Sequence, residues 1–255
     1  MFNYTKYLLV VFALLASFSA KSIFADTAWV NMPSVTNENL YQINKCNDRF
    51  LAIGNNGTII TSPDCRNWSV IPPVTNFSLR SVCYANNLYV AVGDSGTVIT
   101  SEDGASWSKQ NSGTKNNLIS VAGGMGLFFA VAEQDTNLIL ASKDCVNWTS
   151  EMPDSSDSVV FKTVNYLDGN FVLSGYDPNC IDDCSNDDEL TGLYYCDCYK
   201  LFLSSDGNSW TSRALTYNSL HLLVLTNNKY IALDKHPNTF ISSFPGYYAL
   251  TSDDG

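Results

Sequence analysis

From Leu40 onward the chain is written in short apolar runs broken by polar turn clusters, and no useful length of it holds a helical period. One cycle shows the grammar. LRSVCYA (79–85) and LYVAVG (88–93) are strand-like runs flanking Asn86-Asn87, a pair suited to a tight hairpin. Asp94-Ser95-Gly96 turns the chain into TVITS (97–101). Glu102-Asp103-Gly104 turns it again, and Trp107 opens a last strand. Four short strands with three tight connections predict one antiparallel sheet. Corresponding runs are YQINKC and FLAIG, LISVAG and LFFAVAE, VVFKTVNY and FVLSGY, and HLLVLT and KYIALD.

The cycle has a period. Trp29, Trp68, Trp107 and Trp148 follow one another at 39, 39 and 41 residues, and Trp210 follows after 62. About forty residues per four strands is the length of a propeller blade. A four-stranded sheet cannot bury both faces alone, whereas blades stacked about an axis cover each other. The expected fold is therefore all-β, a β-propeller of four-stranded antiparallel blades. Five units are visible. The last contains LLVLT, YIALD and YYALTS without a final strand, while DTAWVNMP (26–33) is a final strand with no blade before it. Joining the two closes a five-bladed ring and leaves no free sheet edge. The alternative is a larger propeller cut short.

The third turn repeats as SPDCRNW (Ser62, Asp64, Trp68), SEDGASW (Ser101, Asp103, Trp107), SKDCVNW (Ser142, Asp144, Trp148) and SSDGNSW (Ser204, Asp206, Trp210), with a broken SDDG at 252–255. Short acidic and hydroxyl side chains accept hydrogen bonds from amides of their own turn, and the indoles supply large apolar faces. These copies resemble the Asp-box, or bacterial neuraminidase repeat, of sialidase-type and photosystem-assembly-factor-type propellers. Two departures stand out: Trp107 follows Asp103 by only four positions, and Cys65 and Cys145 replace the glycine after the aspartate. The resemblance implies that the boxes sit at the blade periphery, away from the ligand-binding face, as structural turns.

The best-known chemistry of that family is sialic acid hydrolysis, for which the resemblance implies three arginines, a tyrosine–glutamate nucleophile pair and an acidic acid/base. This chain has four arginines: Arg49 in a turn, Arg66 in a box, Arg213 on an outer strand, and Arg80 beside the start of a first strand. Arg80 alone is placed for the central face, so the sialidase set is missing. Two histidines, His221 and His236, exclude a histidine-rich metal centre. Glu133, Asp234 and Asp94 could face one end of the ring, which keeps a glycan-cleaving hydrolase with paired carboxylates as the alternative function.

Composition sets the compartment. Residues 1–25 have a basic tip, an apolar run shorter than the roughly 20 residues of a spanning helix, and a small residue, Ala25, before Asp26: a secretory signal peptide. Residues 26–255 then form a single domain, secreted or periplasmic, with no later transmembrane segment. The formal net charge of −11 becomes more acidic on losing Lys6 and Lys21, which argues against nucleic acid. Eight cysteines in an exported chain predict disulfides. Cys180, Cys184, Cys196 and Cys198 fall in an acidic insertion at 177–198 and are expected to form two local bridges, connectivity open, with zinc as the alternative. Cys46 and Cys83 read as buried thiols as much as a bridge. Asn56, Asn67, Asn76 and Asn147 begin glycosylation sequons.

The insertion is the one idiosyncratic loop, and loops on a repeated scaffold carry specificity. Asp182, Asp183, Tyr194 and Tyr195, together with Arg80, are the candidate binding residues. The acid run offers the oxygen ligands calcium prefers, making calcium the one cofactor to consider; none is required. The expected function is a non-catalytic exported propeller that binds a protein or glycan through its loop face and this insertion.

Overall fold

The computed structural model describes residues 33–133, 138–151, 159–177, 198–214, 222–226, 229–235 and 247–252. Its strands are assigned in chain order. The first sheet holds β1 (Leu40–Cys46), β2 (Arg49–Gly54), β3 (Ile59–Ser62) and β4 (Ser69–Ile71); the second holds β5 (Leu79–Ala85), β6 (Leu88–Gly93), β7 (Thr97–Ser101) and β8 (Ser108–Asn111). The third comprises β9 (Leu118–Gly124), β10 (Leu127–Ala132), β11 (Ile139–Ser142) and β12 (Thr149–Glu151). The fourth comprises β13 (Val160–Leu167), β14 (Asn170–Asp177), β15 (Cys198–Ser204) and β16 (Thr211–Ala214). A three-stranded sheet follows: β17 (Leu222–Thr226), β18 (Lys229–Lys235) and β19 (Tyr247–Ser252). All neighbours are antiparallel and sequential, as in propeller blades. Residues 26–32, assigned by sequence to the closing strand, lie outside the described residues, as does the signal segment 1–25.

Period-2 alternation explains how the blades stack. Tyr89 and Ala91 on β6 turn one way, into a core shared with Leu51, Ile53 and Ile59 of the first sheet. Val90 and Val92 turn the other way, onto Phe128, Ala130 and Leu140 of the third. Phe129 and Val131 then face Phe171, Leu173 and Phe202 of the fourth. The tryptophans of the second, third and fourth boxes reach back toward the preceding blade: Trp107 into the first of these cores, Trp148 into the second, Trp210 into the third. The Phe129 and Trp210 rings meet edge-on at 5.6 Å.

First strands β1, β5, β9 and β13 lie side by side along the axis. A polar side chain on each of three of them bonds the backbone of the next. The Val82 amide donates to Gln42 Oε1 at 2.6 Å, and the Val121 amide to Ser81 Oγ at 3.1 Å. Ser120 Oγ accepts from the Val164 amide at 3.0 Å and donates to its carbonyl at 3.2 Å. Gln42, Ser81 and Ser120 occupy one register position, so the blades are held level with one another. This levelling defines two faces. One carries the two-residue hairpins between first and second strands, with Asn86-Asn87 both at positive φ, and the box turns. The other carries the starts of the first strands and the connections between second and third strands, including 3₁₀ turns at Asn55–Gly57 and Asp94–Gly96.

Disulfide bonding, expected from the cysteine count and the export signal, is overturned for the cysteines among the described residues. Among the described residues no cysteine pair lies at bonding distance, and Cys46, Cys65, Cys83 and Cys145 are free thiols. The reason is packing. Cys46 and Cys145 are fully buried in blade interfaces, where burial pushes each thiol up to about 12, so they serve as small apolar fillers. Cys180, Cys184 and Cys196 lie outside the described residues, and Cys198 opens β15.

Because Ser120 serves both the amide and the carbonyl of Val164, Ser120→Ala is expected to lower unfolding free energy by about 1–3 kcal/mol. Urea unfolding should show a lower midpoint with unchanged slope. An unchanged midpoint would remove this bond from the stabilising set.

Candidate functional site

The four boxes have one geometry. Ser62 Oγ donates to Asp64 Oδ1 at 3.0 Å, and that oxygen also accepts the Arg66 and Asn67 amides at 2.8 Å each. Asp103, Asp144 and Asp206 take the equivalent amides at 2.7 to 2.9 Å. The residue after each aspartate is left-handed: Cys65 at φ 58°, Gly104 at 69°, Cys145 at 59° and Gly207 at 77°. The cysteine copies close the turn further, Trp68 Nε1 donating to the Cys65 carbonyl at 3.2 Å and Trp148 Nε1 to that of Cys145 at 3.0 Å. Trp107 is buried with no partner for its indole N–H among the described residues. Backbone amides stabilise the charged carboxylates, so Asp64, Asp103 and Asp144 are held well below the usual range. The Ser209 amide, then that of Asn208, brings Asp206 down to about 2.

A different set of side chains gathers on the opposite face. In β1, β5, β9 and β13 the pairing register slips by one, leaving an extra residue: Tyr41, Arg80, Ile119 and Lys162. A bulge of this kind re-aims one side chain without disturbing the ladder beyond it. All four bulges share one register position at the start of a first strand, so they ring the axis. Gly93 permits the arrangement, since an added Cβ would lie 2.0 Å from the Ser78 carbonyl oxygen.

Arg80 is the centre of this hub. Its Nε donates to Asp94 Oδ1 at 2.7 Å and its Nη2 to Asp94 Oδ2 at 3.1 Å, a forked pair. The guanidinium lies over the Tyr41 ring, 4.7 Å from its centroid. Tyr41 OH donates to Asn55 Oδ1, which also accepts from Ser78 Oγ at 3.3 Å. The forked carboxylate, then the nearby Tyr41 and Glu133, push the Arg80 pKa further up. On the next blade Asn117 links two turns, its Oδ1 taking the Ser95 amide at 3.0 Å and its Nδ2 reaching Glu133 Oε2 at 3.0 Å. Lys162 Nζ sits 5.3 Å over the Tyr176 ring, and Lys200 Nζ donates to Asp177 Oδ2 at 3.1 Å.

The insertion leaves the same face. Asp177, the last residue of β14, pairs in register with Cys198, the first of β15, so residues 178–197 depart where the other blades carry their second-to-third-strand turns. Asp182, Asp183, Tyr194 and Tyr195 lie outside the described residues. Arg80 and the root of the insertion thus share a face, and the twelve box residues occupy the other. Tyr41, Asn55, Asn117 and Lys162 are hub residues that sequence reading passed over. For Tyr41 and Lys162 the signal was the second position of LYQ and FKT, where Arg80 itself stands in LRS; Asn55 and Asn117 carried no such signal.

Chemically the hub is a set of satisfied pairs. Asp94 is committed to Arg80 and Glu133 to Asn117. Among the described residues, no three of His, Cys, Asp or Glu converge to hold a metal ion, and no helix is long and apolar enough to cross a membrane.

The sequence matches no family profile and no curated relative. Solved structures do match. YCF48 from Cyanidioschyzon merolae aligns at 15% identity with a TM-score of 0.54, covering 88% of this chain and 74% of that one. A chain of a nidogen–laminin complex aligns at 12% identity and TM-score 0.50, covering 73% and 70%. YCF48 bound to a D1 peptide aligns at 17% identity and TM-score 0.49, covering 80% and 77%. Identities of 15% and 12% mark a likeness of fold.

The box carboxylates set an acid limit. Their folded pKa values lie below the unfolded value of about 3.9, so the stability they contribute is complete above that pH. It is lost as pH falls toward about 2, where Asp206 protonates in the fold. Urea unfolding in steps from pH 5 to pH 2 should show falling stability, with a shallower fall in Asp206→Asn. An identical slope in the variant would sink this account.

Proposed function

We propose that the chain is a non-catalytic, exported propeller that binds a protein or glycan partner through the face carrying Arg80 and the 177–198 insertion. In this reading residues 1–25 are a signal peptide, residues 26–255 form one domain, and the protein works outside the cytoplasm. The four Ser-x-Asp turns are Asp-boxes that fasten the blades.

One observation carries the proposal. Carboxylates of the hub, Asp94 and Glu133, are already paired with Arg80 and Asn117, while the Tyr41 ring beside them is exposed. A glycosidase needs two carboxylates opposed across a substrate, one free to give a proton and one to attack or activate water. Paired acids beside an exposed ring suit recognition better. The insertion adds variable chain at the same rim, and loop variation on a fixed scaffold is how repeat proteins acquire partners.

Capture of partners from envelope and host-surface extracts by the immobilised mature protein tests the face. Shortening 177–198 to a turn should abolish capture, whereas Lys143→Glu beside the Asp144 box should leave it intact. The reverse pattern would move the binding surface to the box face.

A further inference from the structure

We infer that Tyr41, Arg80, Asp94 and Asn55 form a subsite for a neutral glycan unit with a pair of adjacent hydroxyl groups. The inference rests on the reading that this face binds, and it chooses the chemical class.

The observations converge on one spot. Tyr41 is 46% exposed although the Arg80 guanidinium covers part of its ring. Such a ring, wet and held in place, is the platform on which the apolar C–H face of a sugar stacks. Its hydroxyl is spent on Asn55, so the ring is fixed before any ligand arrives. Ser78 Oγ meets the same Asn55 oxygen, which further fixes that side chain.

The polar partners fit a diol. Arg80 uses two of its five N–H groups on Asp94, and these two bonds leave each Asp94 oxygen a further lone pair. The fork therefore presents a fixed donor beside a fixed acceptor, both part-exposed, at 35% and 25% of their side chains. One sugar hydroxyl can donate to the carboxylate while its neighbour accepts from the guanidinium. Asn55 keeps its amide nitrogen as a third, adjacent donor, because only its Oδ1 is used by Tyr41 and Ser78.

Charge decides against the rival ligands. The cations at the hub each have an acidic or aromatic partner: Arg80 with Asp94, Lys200 with Asp177, Lys162 with Tyr176. An acidic ligand would meet the Asp94 carboxylate beside the guanidinium and approach a chain of net charge −11. A protein partner on this face is an outcome of the test below.

Binding of soluble neutral oligosaccharides (β-glucan, mannan, galactan and chitin fragments), with acidic uronic oligomers as controls, is measured by calorimetry and saturation-transfer NMR. At least one neutral series should bind, and Tyr41→Ala should weaken it by about tenfold through loss of stacking. Asp94→Asn and Arg80→Lys should each weaken it by about tenfold or more, through the charge-assisted bonds. Tyr41→Phe, which keeps the ring, should retain most of the affinity and shows that the face remains folded. Three results would overturn the inference: no neutral series bound at millimolar concentration, binding unaffected by Tyr41→Ala, or binding of the acidic oligomers alone. In the first case, capture of a protein that still depends on 177–198 would leave the broader reading standing.

Discussion

A small antiparallel sheet whose two faces are both apolar has no stable existence in water, and the rest of this structure follows from that constraint. Leaving the faces of the second sheet exposed would forfeit the burial of Tyr89 and Ala91 on one side and Val90 and Val92 on the other. At roughly 25 cal/mol per Å² of apolar surface, no set of tight turns could compensate. Neighbouring sheets are the remedy, and each neighbour then needs its own. The demand propagates from blade to blade. It also makes the interfaces interdependent, since Phe128 and Phe129 are adjacent in sequence yet belong to different cores.

Apolar contact alone would let blades slide along one another. Sliding is opposed by directional bonds at the axis, where Gln42, Ser81 and Ser120 each hold the backbone of the following first strand. Such bonds tolerate little displacement, and a buried amide left without its partner costs about 1–3 kcal/mol. Levelled blades put equivalent residues at equal heights. The outer turns fasten each sheet at one end with the aspartate–amide cluster, and the hub residues stand at the other. Structural and variable chemistry are thereby kept apart along each strand.

Much of this was legible beforehand because repetition reads well. Runs such as LYVAVG and TVITS, the paired asparagines at 86 and 87, and the Ser-x-Asp spacing of the turns each follow from local physics. Arg80 stood out because its place at the head of a first strand was plain. The hub around it was not. A bulge adds one residue at a strand end, and LYQ or LIS reads as ordinary alternation whether or not the register slips there. Nor does anything local tie Arg80 to Asp94, fourteen positions on, or Tyr41 to Asn55. The cysteines misled for a different reason. Counting them spoke to compartment, whereas Cys46 and Cys145 are set by the volume to be filled between blades, a property of the packed sheets alone.

The division of labour along each strand also underlies the proposal that recognition belongs at the hub. A box aspartate cannot leave its amides without loosening the turn that orients its tryptophan between blades, so its chemistry is fixed by the fold. The bulged residue of the second blade, Arg80, carries no such obligation, whereas its equivalent Ile119 still packs against the next core. The neighbours of Arg80, Leu79 and Ser81, do the packing and the inter-blade bonding, and the residue between them is released toward the axis. Tyrosine, arginine, isoleucine and lysine occupy the four equivalent positions, four chemistries on one backbone geometry. The proposal of recognition at the hub rests on this contrast: the box turns repeat one chemistry, while the bulge positions on the opposite face vary and the long insertion leaves that same face.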